Sequence, residues 1–236
     1  MCDSCGCGDH ELVPVELHEK ILAGNDRTAA HNRAHFRAAG VVAINLMGSP
    51  GAGKTAVLEA TARAMGNRTL AALAGDLATD NDAERLAAAG IAAQSITTGS
   101  ACHLDAQMVH AAMHATKWRG LDYLFIENVG NLVCPAIYDL GQAANVVALS
   151  VTEGEDKPLK YPVMFRAADL VLLTKIDLLP HLPGISLNRI AANLEKVMPK
   201  PLFLPVSSLT GEGMAAWSTW LEHRRAAVPN AALVER

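Results

Sequence analysis

The chain has 236 residues and a formal net charge of −4, and half of its residues are hydrophobic while 4% are aromatic. This length predicts one large domain, with or without an appendage, and the mild acidity argues against a nucleic-acid partner or an anionic membrane surface. No apolar run is long enough to cross a bilayer, and the first residues lack the pattern of a signal peptide. We therefore expect a cytoplasmic protein. Thiols stay reduced there, so its five cysteines favour metal or redox chemistry over disulfides.

The first segment, residues 1–12, carries three of these cysteines, Cys2, Cys5 and Cys7, and almost no core-forming side chains. It is interpreted as a flexible metal-binding tail, with a redox-active or adventitious thiol cluster as the alternative. Residues 13–39 follow a helical pattern and predict N-terminal helices that pack on the main domain. The sequence "AGND" at 23–26 predicts a break between two helices there, with Asn25 or Asp26 as the cap.

The main domain, residues 40–236, alternates short apolar runs with helical stretches. This alternation predicts an α/β fold of three layers, with a mostly parallel sheet of about seven strands and helices on both faces. Strands are predicted at 41–47, 69–75, 91–97, 121–128, 145–151, 170–174 and 202–207. Helices are predicted at 56–65, 83–89, 106–114, 161–168, 187–197 and 214–226.

A phosphate-binding motif follows the first strand. "GSPGAGKT" at 48–55 matches G-x-x-x-x-G-K-[ST] at every fixed position, between an apolar run and a helical stretch. Its backbone N–H groups and the helix N-terminus suit a phosphate anion, so the motif predicts the P-loop NTPase fold. Lys54 would reach the β- and γ-phosphates, and the Thr55 hydroxyl would bind Mg²⁺. The predicted nucleotide-binding residues of the loop are Gly48, Ser49, Gly51, Ala52, Gly53, Lys54 and Thr55.

Acidic residues end two further strands. Asp76 follows the run 69–75, and Glu127 ends "YLFIEN" where a Walker-B acid belongs. Lys54, Asp76 and Glu127 are therefore the candidate catalytic residues, and Thr55 and Asp76 the candidate Mg²⁺ ligands. A helix or turn cap is the alternative role for Asp76, and Asp80 or Asp82 could cap the next helix. Gly130 can offer its N–H to the γ-phosphate, which makes 127–134 a candidate switch segment.

The base-recognition motif lies late in the chain. "LLTKID" places Thr174, Lys175 and Asp177 at a strand end, where GTPases carry Asn-Lys-x-Asp. The Asp177 carboxylate would accept from guanine N1–H and the 2-amino group, a donor pair that adenine lacks, whereas the Lys175 stem would lie along the base. Thr174 in place of Asn departs from the motif. A second base-contacting loop is predicted in "SSLTGEG", with Ser207, Ser208 and Leu209.

The last two cysteines lie beside these predicted switches. "GSACHLDA" contains Cys102 and His103, and "ENVGNLVCP" contains Cys134, four residues beyond Gly130. Thiolate and imidazole suit Zn²⁺ or Ni²⁺, so the three residues form a candidate metal site that needs a further ligand from water or a second subunit. In the alternative interpretation, the two cysteines are small buried hydrophobic residues.

Six stretches, in order, resemble the hydrogenase nickel-incorporation GTPases of the HypB family. They are "NLMGSPGAGKT", "GDLATDNDAERL", "TTGSACHLDA", "FIENVGNLVCP", "VTEGEDKPLKYP" and "LLTKIDLLP". The similarity runs from about residue 25 to beyond residue 210. The initial Cys-x-x-Cys-Gly-Cys also resembles the amino-terminal metal motif of part of that family.

The resemblance implies a dimerising P-loop GTPase, related to urease accessory GTPases, that delivers Ni²⁺ during [NiFe]-hydrogenase maturation. No arginine is placed in the motifs as a catalytic finger, so we expect GTP hydrolysis to be slow. Its cofactors would be GTP/GDP, Mg²⁺ and Ni²⁺, with Zn²⁺ as a second candidate. Its partners would be a nickel chaperone of the HypA type and the hydrogenase large-subunit precursor. Two GTP-bound subunits would bring Cys102, His103 and Cys134 to their interface. The cysteines of the tail would form a separate nickel clamp, with the α-amine as a possible fourth ligand.

The histidines show no dense run of the kind that some family members use for nickel storage. His10, His18, His31 and His35 are widely spaced. His110 and His114 lie one turn apart on an alanine-rich helix and are predicted to be surface or core-edge residues rather than ligands.

Three alternatives stay open. The first is an accessory GTPase for another metalloenzyme, of the urease or cobalamin-dependent mutase type. The second is a passive metal-binding protein with a structural nucleotide. The third is a P-loop kinase, which would need an acceptor pocket that the Thr-Lys-x-Asp motif does not predict.

Overall fold

A computed structural model describes residues 15–76, 81–99, 101–115 and 118–228. The predicted tail, with Cys2, Cys5 and Cys7, lies outside these residues. The centre of the fold is one sheet of seven parallel strands in the order β3-β2-β4-β1-β5-β6-β7, which confirms the predicted fold class. The strands are β1 Val42–Met47, β2 Leu70–Asp76, β3 Ala92–Thr97, β4 Tyr123–Glu127, β5 Ala144–Ser150, β6 Leu170–Thr174 and β7 Phe203–Pro205.

The continuous apolar runs of the sequence form the middle of this sheet. Every residue of β1, β4 and β6 is buried, because helices cover both faces of those strands. The edge strands β3 and β7 are only partly buried. Burial therefore follows the position of each strand in the sheet.

The helices lie in two layers. They are α1 Val15–Ala38, α2 Lys54–Ala64, α3 Asn81–Ala88, α4 Ala106–Ala115, α5 Lys157–Lys160, α6 Pro162–Arg166, α7 Leu187–Val197 and α8 Met214–Ala226. Buried side chains of α2, α3 and α8 share one core with one face of the sheet. Those of α1, α4, α6 and α7 pack on the other face. Among the described residues, no helix combines the length and apolarity that crossing a bilayer requires.

The predicted break in the N-terminal helices is wrong: α1 runs without interruption from Val15 to Ala38. Neither Asn25 nor Asp26 acts as a cap. The Asn25 amide instead donates to the Asp139 carbonyl at 2.8 Å and accepts from the Ala106 N–H at 2.9 Å. Arg33 pairs with Asp139 at 2.6 Å. These tertiary contacts hold α1 against α4 and the segment before β5, so the turn-forming residues stay helical.

The helix predicted at 161–168 is observed as the shorter α6, Pro162–Arg166, and a separate short helix, α5, precedes it at Lys157–Lys160. Pro162 has no N–H to continue the hydrogen bonding of α5, and it begins the next helix instead. The bounds predicted for β6, α7 and α8 match the observed ones.

Candidate nucleotide and metal site

A cavity of about 490 Å³ opens where several parallel strands end. Its walls come from the 48–55 loop, the ends of β2 and β4, α3 and Lys175. Gly48 has φ +145°, and a Cβ there would lie 2.4 Å from the Ala148 carbonyl oxygen. The loop therefore approaches β5 closely, as a loop that presents its backbone to an anion requires.

Lys54 begins α2 and is buried inside the loop. Its Nζ donates to the carbonyls of Ser49 at 3.2 Å and Gly48 at 3.3 Å. Burial lowers the pKa of the Lys54 ammonium, and the neighbouring carboxyl groups of Glu127 and Asp82 partly oppose that shift. The ammonium is placed where a phosphate would neutralise it.

The Thr55 hydroxyl lies between two carboxyl groups. Its Oγ1 is 2.8 Å from Glu127 Oε1 and 3.0 Å from Asp82 Oδ1. The second Glu127 oxygen, Oε2, is buried and has no hydrogen-bond partner in the described part of the protein. Burial raises the pKa of Glu127 to about 7. A hydroxyl, two carboxyl groups and an unsatisfied buried oxygen form a donor set that suits a hard cation such as Mg²⁺.

Asp76 ends β2 and lines the same cavity. Its charge acts on Lys54, which agrees with a position inside the site. Its backbone carbonyl accepts from the Thr98 N–H at 2.9 Å, which joins the ends of β2 and β3. The three candidate catalytic residues Lys54, Asp76 and Glu127 thus surround one cavity.

The predicted switch segment touches the phosphate loop directly. A Cβ on Gly130 would lie 2.8 Å from Pro50 Cγ and 2.9 Å from Pro50 N. The next residue, Asn131, forms an antiparallel bridge with Gly48. Gly130 therefore lies against the phosphate loop at the cavity wall, at a distance that only glycine permits without displacement.

The base-recognition motif extends the site along the far side of the loop. The Thr174 hydroxyl donates to the Ala52 carbonyl at 2.6 Å, so threonine at this position braces the phosphate loop. Lys175 has φ +60°, and its Nζ donates to the Gly51 carbonyl at 2.7 Å. Asp177 Oδ1 accepts from the Ser207 hydroxyl at 2.6 Å, which joins the two predicted base-contacting segments.

Two further predicted base contacts follow Ser207 in the same loop. Ser208 and Leu209 line a different hollow, between α2 and α8. The Ser208 carbonyl accepts from Arg63 at 3.0 Å, and the Leu209 side chain is 84% exposed. The structure therefore groups Ser207 with Asp177, and contact of Ser208 and Leu209 with the base stays a prediction.

The second cluster consists of Cys102, His103 and Cys134. One potential ligand atom from each residue falls within 4.8 Å of the others. The two Sγ atoms are 3.1 Å apart, longer than the ~2.05 Å of a disulfide, and both thiols are free. The His103 ring stacks on Tyr138 with a 3.9 Å centroid distance. The three side chains are half-buried, so the buried-hydrophobe alternative does not describe these cysteines.

A buried amide connects the two clusters. Asn128 follows Glu127, and its Oδ1 accepts from the Leu104 N–H at 3.1 Å, within the loop that carries Cys102 and His103. Its Nδ2 donates to Asn45 Oδ1 at 3.1 Å, and Asn45 donates in turn to Asn145 at 3.0 Å. A polar chain thus crosses β4, β1 and β5 beneath both sites.

The sequence analysis did not identify several residues of the site. Asp82, interpreted only as a possible cap, contacts Thr55. Glu153 accepts from the Ser49 hydroxyl and from the Ser150 N–H, and it thereby joins the phosphate loop to the end of β5. Arg85 reaches the cavity and pairs with Glu59 at 3.0 Å and Asp82 at 3.7 Å. The acidic run after β2 is the sequence signal that could have indicated Asp82.

The fold and this arrangement of residues are those of a P-loop GTPase. The family model for the CobW/HypB/UreG nucleotide-binding domain matches residues 42–204. The chain belongs to this family and, within it, to the HypB group.

Sequence relatives support the assignment. The chain is 51% identical over 216 residues to the hydrogenase maturation factor HypB of Azotobacter chroococcum, covering 90% of this chain and 70% of the relative. It is 46% identical over 223 residues to the HypB of Escherichia coli K12, covering 94% and 76%.

Solved structures agree. HypB from Helicobacter pylori in complex with nickel superposes with a TM-score of 0.82 at 39% identity, covering 88% of this chain and 98% of that one. HypB from Archaeoglobus fulgidus superposes with a TM-score of 0.80 at 39% identity, covering 86% and 100%.

Proposed function

We propose that this protein is a GTP-hydrolysing nickel metallochaperone that delivers Ni²⁺ during maturation of [NiFe]-hydrogenase. One observation carries the proposal: the segment 127–134 lines the nucleotide cavity with Gly130 and supplies Cys134 to the thiol and imidazole cluster. A γ-phosphate that repositions Gly130 acts on a metal ligand four residues away. GTP hydrolysis would therefore change metal affinity.

Side chains and backbone groups of this protein would bind the nucleotide and its Mg²⁺ ion. Lys54 would exchange its contacts with loop carbonyls for contacts with the β- and γ-phosphates, and Gly130 would offer its N–H to the γ-phosphate. Thr55, Asp76, Asp82 and Glu127 would hold Mg²⁺, which neutralises developing charge on the phosphate oxygens when bound. The unsatisfied Glu127 oxygen supports this assignment.

Hydrolysis is expected to be slow. Arg85 is the arginine among the described cavity residues, and it is already engaged with Glu59 and Asp82. A guanidinium held by two carboxylates gives little extra stabilisation to a transferring phosphoryl group. Slow turnover suits a switch that must stay in one state while an ion moves.

The metal half uses two thiols and one imidazole. These donors suit Ni²⁺ and Zn²⁺. The two thiols must be deprotonated and the imidazole must be neutral before they can bind the ion. The Helicobacter pylori relative was solved in complex with nickel, which favours Ni²⁺ as the transferred ion. The tail cysteines Cys2, Cys5 and Cys7 would form the separate nickel clamp.

Three donors leave the coordination sphere open, so we include a GTP-dependent homodimer in the proposal. Val133 and Ile137 flank Cys134 and are 43% and 42% exposed. Apolar exposure beside an incomplete ligand set favours a second copy of the chain there. A HypA-type nickel chaperone and the large-subunit precursor in the cytoplasm complete the proposed pathway.

The decisive experiment is Ni²⁺ and Zn²⁺ titration of two variants, each with GDP and with a non-hydrolysable GTP analogue. One variant replaces Cys2, Cys5 and Cys7 by serine, and the other replaces Cys102 and Cys134 by serine and His103 by glutamine. We expect two independent sites, of which only the Cys102–His103–Cys134 site responds to the nucleotide. Parent-like binding by both variants would refute both ligand sets.

GTP turnover separates this mechanism from a passive metal-binding protein. We expect measurable turnover in the parent and at least a 100-fold loss in Lys54→Ala. The matched control is Lys196→Ala, since Lys196 is exposed on α7 and contacts Asn193. No turnover in the parent would favour the passive alternative.

Urease maturation remains a second candidate. Relatives from Helicobacter hepaticus and Helicobacter pylori, 45% and 44% identical, are named hydrogenase/urease maturation factors HypB. Adding the Ni-loaded protein separately to apo-urease and to the hydrogenase precursor would identify the client by which one acquires nickel.

A further inference from the structure

Four histidines form a cluster on the outer face of the α1–α4 pair, apart from the two sites above. His31 and His35 lie one turn apart on α1, with their Nε2 atoms 2.9 Å apart. His110 and His114 repeat that spacing on α4, with their Nε2 atoms 3.2 Å apart. The His31 and His110 ring centroids are 5.2 Å apart, so the two pairs face each other across the helix contact.

The distances within the pairs match adjacent ligands of one ion. Two imidazole nitrogens that each lie ~2.1 Å from a metal ion are roughly 3.0–3.4 Å apart, depending on the coordination geometry. Both observed Nε2–Nε2 distances lie at or near this range. His31 and His114, the exposed members of the two pairs, are the rings that would turn to bring all four imidazoles onto one ion.

A buried amide fixes the orientation of one ring. Asn32 is fully buried, and its Nδ2 donates to the carbonyls of Ala106 at 2.9 Å and Leu140 at 3.2 Å. These two bonds leave its Oδ1 as an acceptor for His110 Nδ1, at 2.9 Å. The Nδ1–H of His110 must therefore donate, which leaves the lone pair on Nε2, the atom that faces His114. An outer hydrogen bond that sets the tautomer is typical of metal-binding histidines.

We propose that His31, His35, His110 and His114 form a second, all-imidazole site for a divalent late-transition-metal ion, which joins α1 to α4. Imidazole ligands suit Ni²⁺, Zn²⁺ and Cu²⁺. The site stands on its own geometry and does not depend on the proposed nickel delivery.

The electrostatic surroundings set the strength of this site. Imidazole binds a metal ion in its neutral form, and a positive charge nearby opposes the binding of a cation. The Arg119 guanidinium acts on His35 and opposes a second positive charge. Because its ligands are neutral and lie beside an arginine, we expect this site to bind a metal ion more weakly than the thiolate sites. It would therefore be filled after them as the metal concentration rises.

The test uses the full chain with all six thiolate-site ligands replaced: Cys2, Cys5, Cys7, Cys102 and Cys134 by serine, and His103 by glutamine. Titration with Ni²⁺ or Zn²⁺ alone is expected to show one ion bound per chain and a melting temperature that rises with metal concentration. His31→Gln on α1 and His114→Gln on α4, both exposed positions, should each weaken binding at least tenfold.

The matched control is His223→Gln, an exposed histidine on α8, which should bind the ion like its background. A background variant that retains no ion would overturn the proposal. Weakening by only one of the two substitutions would overturn the bridge between helices, because the ion would then sit on a single helical pair.

Discussion

Asn128 accepts a hydrogen bond from the backbone N–H of Leu104, and this bond joins the strand that ends in Glu127 to the loop that carries Cys102 and His103. Leu104 is itself fully buried, and its side chain fills the space that a Cβ on Gly75 would need. The nucleotide cavity and the thiol cluster therefore share buried groups as well as the segment 127–134. Movement at one site has a short physical path to the other.

Replacing Asn128 should uncouple the two sites. Asn128→Ala leaves the buried Leu104 N–H without its partner, which costs roughly 1–3 kcal/mol of stability. We expect the dependence of Ni²⁺ affinity on GTP versus GDP to shrink, while GTP itself still binds. Metal titration with each nucleotide measures this.

Asn193→Ala is the matched control, since it removes a half-buried asparagine that donates to the Glu155 carbonyl, outside the Asn128 hydrogen-bond chain. It should keep the nucleotide dependence. An Asn128→Ala protein whose nickel affinity still follows the nucleotide would show that the coupling takes another route.

Glu127 should make stability pH-dependent. Its pKa is about 7 in the folded protein, against 4.5 for an ordinary glutamate, because burial disfavours the charged form. The unfolded chain therefore loses this proton first as the pH rises, and the carboxyl destabilises the nucleotide-free fold progressively between pH 4.5 and 7. Glu127→Gln should remove this destabilisation and raise the free energy of unfolding by about 3 kcal/mol at pH 8, but change it little at pH 4.5.

Urea unfolding at both pH values, without nucleotide, tests this expectation. The same charge balance predicts that binding of Mg²⁺ and nucleotide releases a proton below pH 7, which calorimetry in buffers of different ionisation enthalpy would detect. Equal stability gains for Glu127→Gln at pH 4.5 and pH 8 would contradict the assigned protonation.

Asp177 should determine the choice of base. Asp177→Asn exchanges an acceptor for a donor, so GTP affinity should fall at least 100-fold. Xanthosine triphosphate, which has an oxo group in place of the 2-amino group, should be preferred instead. Competition binding measures both effects.

Ser207→Ala is a milder change at the same carboxylate, and its effect on GTP affinity can be compared with that of Asp177→Asn. It removes one hydrogen bond to the Asp177 carboxylate and should weaken GTP binding by no more than about tenfold, without changing the preferred base. Unchanged GTP affinity in Asp177→Asn would mean that the base lies elsewhere.

Gly130 should be sensitive to a single methyl group. A Cβ would overlap Pro50 within 3 Å, so Gly130→Ala must displace the switch segment from the phosphate loop. Overpacking of this kind costs about 1–3 kcal/mol, and we expect GTP turnover to fall at least tenfold. Gly184→Ala is the control, because a Cβ there meets nothing within 4 Å. Similar turnover in the two variants would remove Gly130 from the switch.

The sheet and the phosphate loop were predictable because both depend on local pattern. Buried strands produce continuous apolar runs, and a glycine-rich loop between a strand and a helix has few other uses. The continuity of α1 was not predictable, since Gly24 and Asn25 favour a turn locally and only distant contacts with Ala106 and Asp139 keep them helical.

The site was only partly predictable, because some of its residues are brought together by contacts between segments distant in sequence. Motif positions identified Lys54, Thr55 and Glu127, but the role of Asp82 depends on how α3 packs over the end of β2. His31 and His110 come from helices far apart in sequence, and no spacing rule brings their rings to 5.2 Å. Such groupings are made by tertiary packing alone.

The anchoring of α1 at Asn25, together with the length of the chain before it, sets an upper limit on the distance between the amino-terminal thiols and the switch thiols. About ten residues of helix, or ~15 Å, separate Asn25 from the start of α1 at Val15. The eight peptide units between Cys7 and Val15 can extend over at most ~27 Å. Since Asn25 bonds to Ala106, only four residues from Cys102, one polypeptide is long enough for its first cysteines to meet its own switch thiols. An ion could be handed over inside a single molecule.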